Sequence, residues 1–189
     1  VAAPPKGRPI RADARRNYEH IVTIARQAFT ELGPEVPLDV IARRAELGNA
    51  TLYRHFPTRE ALIEVVYRPD VAELASSALH LAQRHGPREA LERWVREQFI
   101  PAAQERNGVA AILKDALVSA PEVFAQGKRQ LTDAVDGLVS AAQNAGNVRQ
   151  DVLTRDILRM AYGIAVAFEG APQARERMLA VMFDGLRPA

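Results

Sequence analysis

The chain contains no cysteine, so neither a disulfide framework nor a thiolate metal site can be built from it. No apolar run approaches the ~20 residues that a membrane-spanning helix needs. No signal-peptide core opens it either. The expected setting is the reducing cytoplasm, away from a membrane. Runs of β-branched residues are short, glycine and proline are scattered, and alanine is abundant, which speaks against a sheet-built fold and predicts an all-α one. The four histidines, His20, His55, His80 and His85, lie apart; His80 and His85 are five positions apart and do not share a helical face as a metal pair would. There is no glycine-rich phosphate loop and no spacing that proposes a Ser-His-Asp arrangement. Acid pairs such as Glu89 and Glu92 read as solvated helix faces. Catalysis is disfavoured, and no metal and no cofactor are expected.

What is present is 189 residues, enough for one large or two small domains with a sizeable core. Charge is unevenly placed. Up to Glu60 there are ten basic and seven acidic residues, net +3, which leaves −1 for the remainder of a chain whose total is +2. The sign of that asymmetry fits a nucleic-acid partner at the N-terminal end.

The most informative stretch runs from Leu38 to Arg59. Leu38, Ile41, Ala42 and Ala45 fall at i, i+3, i+4 and i+7, one face of a helix. Glu46-Leu47-Gly48-Asn49 breaks the pattern. A second short helix follows from about Ala50 to Phe56, with Leu52 and Phe56 inward and Thr51, Tyr53, Arg54 and His55 on the other faces. An outer face of hydroxyls, a guanidinium and an imidazole, with no acid, suits a groove lined with phosphates. This is a helix-turn-helix arrangement with the second helix as reader. Thr58 is placed to cap the next helix.

From Ala50 to Leu62 the run Ala-Thr-Leu-Tyr-Arg-His-Phe-Pro-Thr-Arg-Glu-Ala-Leu resembles the end of the DNA-binding motif of the Tet-repressor (TetR) family. The resemblance covers about Arg11 to Tyr67. It implies DNA contacts by Gly48, Asn49, Thr51, Tyr53, Arg54 and His55, and a phosphate contact by Arg59. Gly48 stands where the family usually has serine, so a backbone N–H would replace a hydroxyl. Glu46 stands where the family usually has glycine; a non-glycine residue at a positive φ there carries strain of order 1 kcal/mol.

Upstream, residues 1–10 hold Pro4, Pro5 and Pro9 with Lys6 and Arg8, read as a flexible basic arm. It either reaches DNA, as homeodomain arms do, or is a solvated tail. Arg15 and Arg16 extend the charge into helix 1, expected from about Asp13 to Leu32 with Ile21, Ala25, Ala28, Phe29 and Leu32 as its buried stripe. Downstream, a helix starts near Arg59 and meets Pro69, which is either a bend within that helix or the first-turn residue of a separate one. Further helices open at Gly86-Pro87, Asn107-Gly108 and Pro121, then span Thr154–Phe168 and Pro172–Leu186. The domains expected are residues 1–10 as arm, 11–68 as the three-helix DNA-binding domain, and 69–189 as a larger helical ligand-binding and dimerisation domain.

In that larger domain, Trp94, Phe99, Leu113, Phe124, Met160 and Tyr162 are candidates for a pocket that takes a small, mostly apolar effector. Each could equally be core. Ala161 and Ala165, with Met178 and Met182, are candidates for a homodimer interface, or else for an internal stripe. The implied function is a ligand-responsive repressor that binds a palindromic DNA operator as a homodimer. A transcriptional activator of the same architecture stays open, as does a helical ligand-binding or interaction protein that does not use its DNA-binding domain.

Overall fold

The computed structural model describes residues 9–105, 109–110, 112–114 and 125–188. Among them every regular element is helical. The chain divides into two compact units, Val1–Val66 and Tyr67–Ala189.

In the first unit, α1 (Pro9–Leu32) leads into α2 (Leu38–Arg44) and α3 (Asn49–His55), and α4 (Arg59–Arg84) begins there. Helix α1 starts four residues before the expected Asp13, with Pro9 as its first residue, where a missing N–H costs nothing. Pro9 and Ile10, expected in the arm, therefore belong to the helix, and the rest of the arm lies outside the described residues. Ile21, Ala25, Ala28 and Phe29 are fully buried. Leu32, which the same stripe includes, is exposed at the last turn. Gly33 ends α1 at φ 84°, its N–H donating to the Phe29 carbonyl at 2.9 Å. Helix α2 packs on both α1 and α3, and Arg44 of α2 reaches Glu31 of α1 at 2.6 Å. Thr58 caps α4 by accepting from the Ala61 N–H at 3.1 Å.

Helix α4 runs unbroken through Pro69, and the boundary between the units falls inside it. Pro69 is thus an interior residue and not the start of a separate helix. It has no N–H for the Val65 carbonyl. One residue on, the Val66 carbonyl accepts from Arg26 of α1.

The second unit continues α4 and adds α5 (Pro87–Arg93), a π-helical turn (Trp94–Phe99), α6 (Ile100–Gln104), α7 (Ala125–Asn144), α8 (Thr154–Ala167) and α9 (Pro172–Gly185). Residues 109–110 and 112–114 are also helical. The starts expected at Asn107-Gly108 and Pro121 lie outside the described residues. Helix α5 packs on α7, α6 on α8, and α8 on both α7 and α9. The π-helical turn has a local cause. Pro101 cannot donate back to the Glu97 carbonyl, and just before it the ladder widens, with the Ile100 N–H reaching the Val95 carbonyl five residues back. Trp94, at the start of that turn, is fully buried.

Candidate nucleic-acid interface

Helix α3 is short and is held from inside. Leu52 and Phe56 are buried and fix its roll. Gly48 precedes its first residue in extended conformation, and its carbonyl accepts from the Thr51 N–H at 2.9 Å. With the inner face fixed, Asn49, Ala50, Tyr53 and Arg54 are exposed, and Thr51 and His55 are half-buried. Tyr53 keeps 48% of its surface in solvent, unusual for an aromatic that only serves packing. Arg54 and His55 lie in the last turn, where positive charge complements the helix dipole.

The arginines around α3 differ in what already holds them. Arg15 donates to Glu19 at 2.8 Å, and that bond raises its pKa further above an already high value. Arg43 pairs with Asp39 at 3.3 Å and Arg44 with Glu31. Arg16 is exposed on α1. Arg54 has no carboxylate partner among the described residues, so its guanidinium is available to an anion that approaches α3.

Arg59, expected to meet a phosphate, is gripped by backbone carbonyls in the first unit. Its Nη1 donates to the Pro34 carbonyl at 2.8 Å and to the Val36 carbonyl at 2.6 Å, and the side chain is half-buried. The α1–α2 loop has carbonyls that no helix ladder satisfies, and a guanidinium is the strongest donor within reach.

Two further features complete the site. Glu46 is exposed at φ 55°, the only non-glycine residue at positive φ among those described. Its N–H donates to the Arg43 carbonyl at 3.1 Å, and the Leu47 N–H to the Ala42 carbonyl at 2.9 Å, so it closes α2 where glycine is usual. Tyr18 of α1 was not a sequence candidate. Its ring stands edge-on to His55, 6.1 Å between centroids, and lies 5.1 Å from Phe56. It seats His55 against α1, and its place three residues before Ile21 on the buried stripe was the signal for it.

In the second unit, the described pocket candidates fall in different environments. Trp94, Phe99 and Leu113 are fully buried. Trp94 and Phe99 pack 5.5 Å apart, and the indole Nε1 donates to the Leu74 carbonyl at 3.0 Å and Ser77 Oγ at 3.1 Å. These residues are satisfied core. Tyr162 is half-buried, and burial raises its phenol above the ordinary value. Met160 is exposed and Phe124 lies outside the described residues. Among the described residues, open clefts of about 390, 350 and 420 Å³ indent this unit, and none of the six candidates lines these three.

The interface candidates also sort by face. Ala161 and Ala165 are fully buried within the subunit, Met182 is buried, and Met178 is half-buried. Ala161, Ala165 and Met182 therefore face the core of their own subunit. The outward faces carry Met160, Gly163 and Val166 on α8 and Val181 on α9, with Val166 51% and Val181 63% exposed. Among the described residues no helix is long and apolar enough to cross a membrane.

Comparison with known proteins agrees with this architecture. Residues 21–66 match the family described as bacterial regulatory proteins, tetR family. Residues 86–188 match the C-terminal domain of SbtR-like transcriptional regulators. The TetR transcriptional regulator SCO0520 from Streptomyces coelicolor is 37% identical, covers 91% of this chain and 99% of its own, and superposes with a TM-score of 0.58. The HTH-type transcriptional regulator UidR of Escherichia coli K12 is 26% identical over 94% of this chain and 93% of its own. The fold is shared by Thermus thermophilus FadR, a TetR-family repressor in complex with lauroyl-CoA, at 20% identity, with 91% of this chain and 96% of that one covered and a TM-score of 0.64. The chain belongs to the TetR family of helix-turn-helix transcriptional regulators.

Proposed function

We propose that this regulator is a repressor that holds a palindromic operator as a homodimer and is released by a small, mostly apolar effector. The observation that carries the reading is the outer face of α3. It presents Tyr53 and an Arg54 with no carboxylate partner among the described residues, on a helix whose inner face is fixed by Leu52 and Phe56. Asn49 and the backbone at Gly48 serve its first turn, Thr51 and His55 its flanks, and Arg15 and Arg16 approach the neighbouring phosphates. In a dimer, two such helices would enter successive major grooves roughly 34–36 Å apart. The exposed apolar residues of α8 and α9 are the surface on which the second copy would pack. The buried side chains described in the second unit are mostly apolar, with Thr154, the phenol of Tyr67 and the indole of Trp94 among the few that carry a polar atom, which favours an effector recognised mainly by apolar contact.

The test is selection of bound duplex from a random DNA pool, followed by a compound screen for release. The reading predicts an inverted repeat and binding that weakens steeply with salt. Recovery of no preferred sequence, with binding insensitive to salt, would remove it. By linkage, an effector that weakens operator binding by a given factor is itself bound more weakly by the same factor when operator is present.

A further inference from the structure

We propose that Arg59 is a positioning residue that sets the seat of the reading helix, and is not a phosphate ligand; this rests on the DNA-binding reading above. Helix α3 ends at His55, Phe56 is buried behind it, and Arg59 is the first residue of α4. The loop between α1 and α2 lies far away in sequence, yet the Pro34 and Val36 carbonyls both accept from Nη1 of Arg59. A guanidinium Nη carries two N–H groups, and both are spent on that loop. One side chain thus ties the end of the helix-turn-helix to its beginning. Val36 and Leu38, on either side of Pro37, are buried, so the loop that Arg59 grips is itself anchored in the core. A second guanidinium, Arg26 of α1, donates to the Val66 carbonyl. The first two turns of α4 are therefore fastened to the unit at both ends, and α3, connected to α4 by only Phe56, Pro57 and Thr58, inherits that placement.

A phosphate ligand and a positioning residue leave different marks on binding. Loss of a phosphate contact removes released counterions and weakens all sequences alike. Loss of a positioning contact misaligns base-reading groups and lowers preference for the operator, with the counterion count kept. The experiment uses the full chain, the operator duplex selected from the random pool, and a random-sequence duplex of equal length, titrated at about 50–200 mM salt. For Arg59→Ala the expected result is an operator affinity about ten- to a hundredfold weaker, in line with one or two mis-seated base contacts. Affinity for the random duplex and the slope of log affinity against log salt should match the parent. Arg59→Lys, whose ammonium can still donate to both carbonyls, should recover most of the operator preference.

A slope reduced by about 0.9 per reading helix, with both duplexes weakened equally, would make Arg59 a phosphate ligand and overturn the proposal. Unchanged binding to both duplexes overturns it too. If Arg59→Ala does not fold, Arg59→Gln carries the same test, because its amide donates to a carbonyl without charge. The positioning role then predicts a kept slope and a partial loss of operator preference, and a reduced slope overturns it. A parent protein that binds neither duplex would instead sink the DNA-binding reading, an outcome the parent titration reports before any variant is compared.

Discussion

Glu46 gives the sharpest stability prediction. It closes α2 at φ 55°, a conformation in which a β-carbon crowds the following carbonyl. The cost for an L-residue is roughly 1–2 kcal/mol. Replacing it by glycine removes that cost but lets the unfolded chain gain freedom worth roughly 0.4–1 kcal/mol. The net expectation for Glu46→Gly is stabilisation of the first unit by about 0.5–1 kcal/mol. Nothing else opposes the change, because Glu46 is exposed and both closing bonds, Glu46 N–H to Arg43 and Leu47 N–H to Ala42, come from the backbone. For a folding unit of about this size, 1 kcal/mol moves the melting temperature by roughly 4–8 °C. Urea denaturation read by circular dichroism measures the change, with Glu46→Ala as the control, since alanine keeps the β-carbon and relieves no strain. Glycine and alanine variants of equal stability would refute the strain argument. The same substitution removes an acid beside the reading helix, so DNA affinity at low salt should rise modestly and the gain should fade as salt screens the charge.

The other predictions follow from the same geometry. Arg54→Ala should weaken DNA binding by roughly 1–3 kcal/mol with altered sequence preference if the guanidinium reads a base; if it meets only phosphate, weaker binding to every duplex and a lower salt slope are expected, and titration of selected and random duplexes separates the two. Val181→Arg should leave a folded chain that sediments as a monomer, because it burdens an exposed apolar face. Ala165→Arg should unfold the second unit, at a cost of several kcal/mol for forcing a long cation into a filled core, and thermal melts of the two variants distinguish them. Pro69→Ala restores a donor for the Val65 carbonyl and should stabilise α4 by about 1–3 kcal/mol. If Pro69 is the pivot between the units, the effector-induced loss of operator affinity should shrink as well, and an unchanged coupling would dismiss the pivot.

Much of the first unit was legible because its signals are local. The period of α1, the Thr58 cap and the inward pair Leu52 and Phe56 each state a rule that neighbouring residues suffice to apply. Glu46 announced its own strain by standing where a turn needs positive φ. The hold on Arg59 was not legible, because its partners, the Pro34 and Val36 carbonyls, are backbone groups more than twenty residues away, and no side-chain pattern marks them. In α8 the difficulty was different. Ala161 and Ala165 face inward while Met160 and Val166 face outward, so the helix is apolar on both sides and periodicity cannot tell core from interface. The π-helical turn at Trp94 also escaped. A proline such as Pro101 removes one donor, and nothing local in the sequence says that the ladder absorbs the loss by widening upstream.

Trp94 has a practical consequence for anyone who studies this regulator in solution. It is the chain's single tryptophan, sealed from water with its indole N–H bonded to Leu74 and Ser77. Its fluorescence therefore reports on residues 67–189 alone, with emission shifted to the blue while that half is folded. Far-ultraviolet ellipticity, by contrast, sums the helices of both halves. Following one denaturation with both signals asks whether the halves melt together. Coincident curves would mean that α4 carries cooperativity across Val66 and Tyr67, and separate curves would give each half a stability of its own.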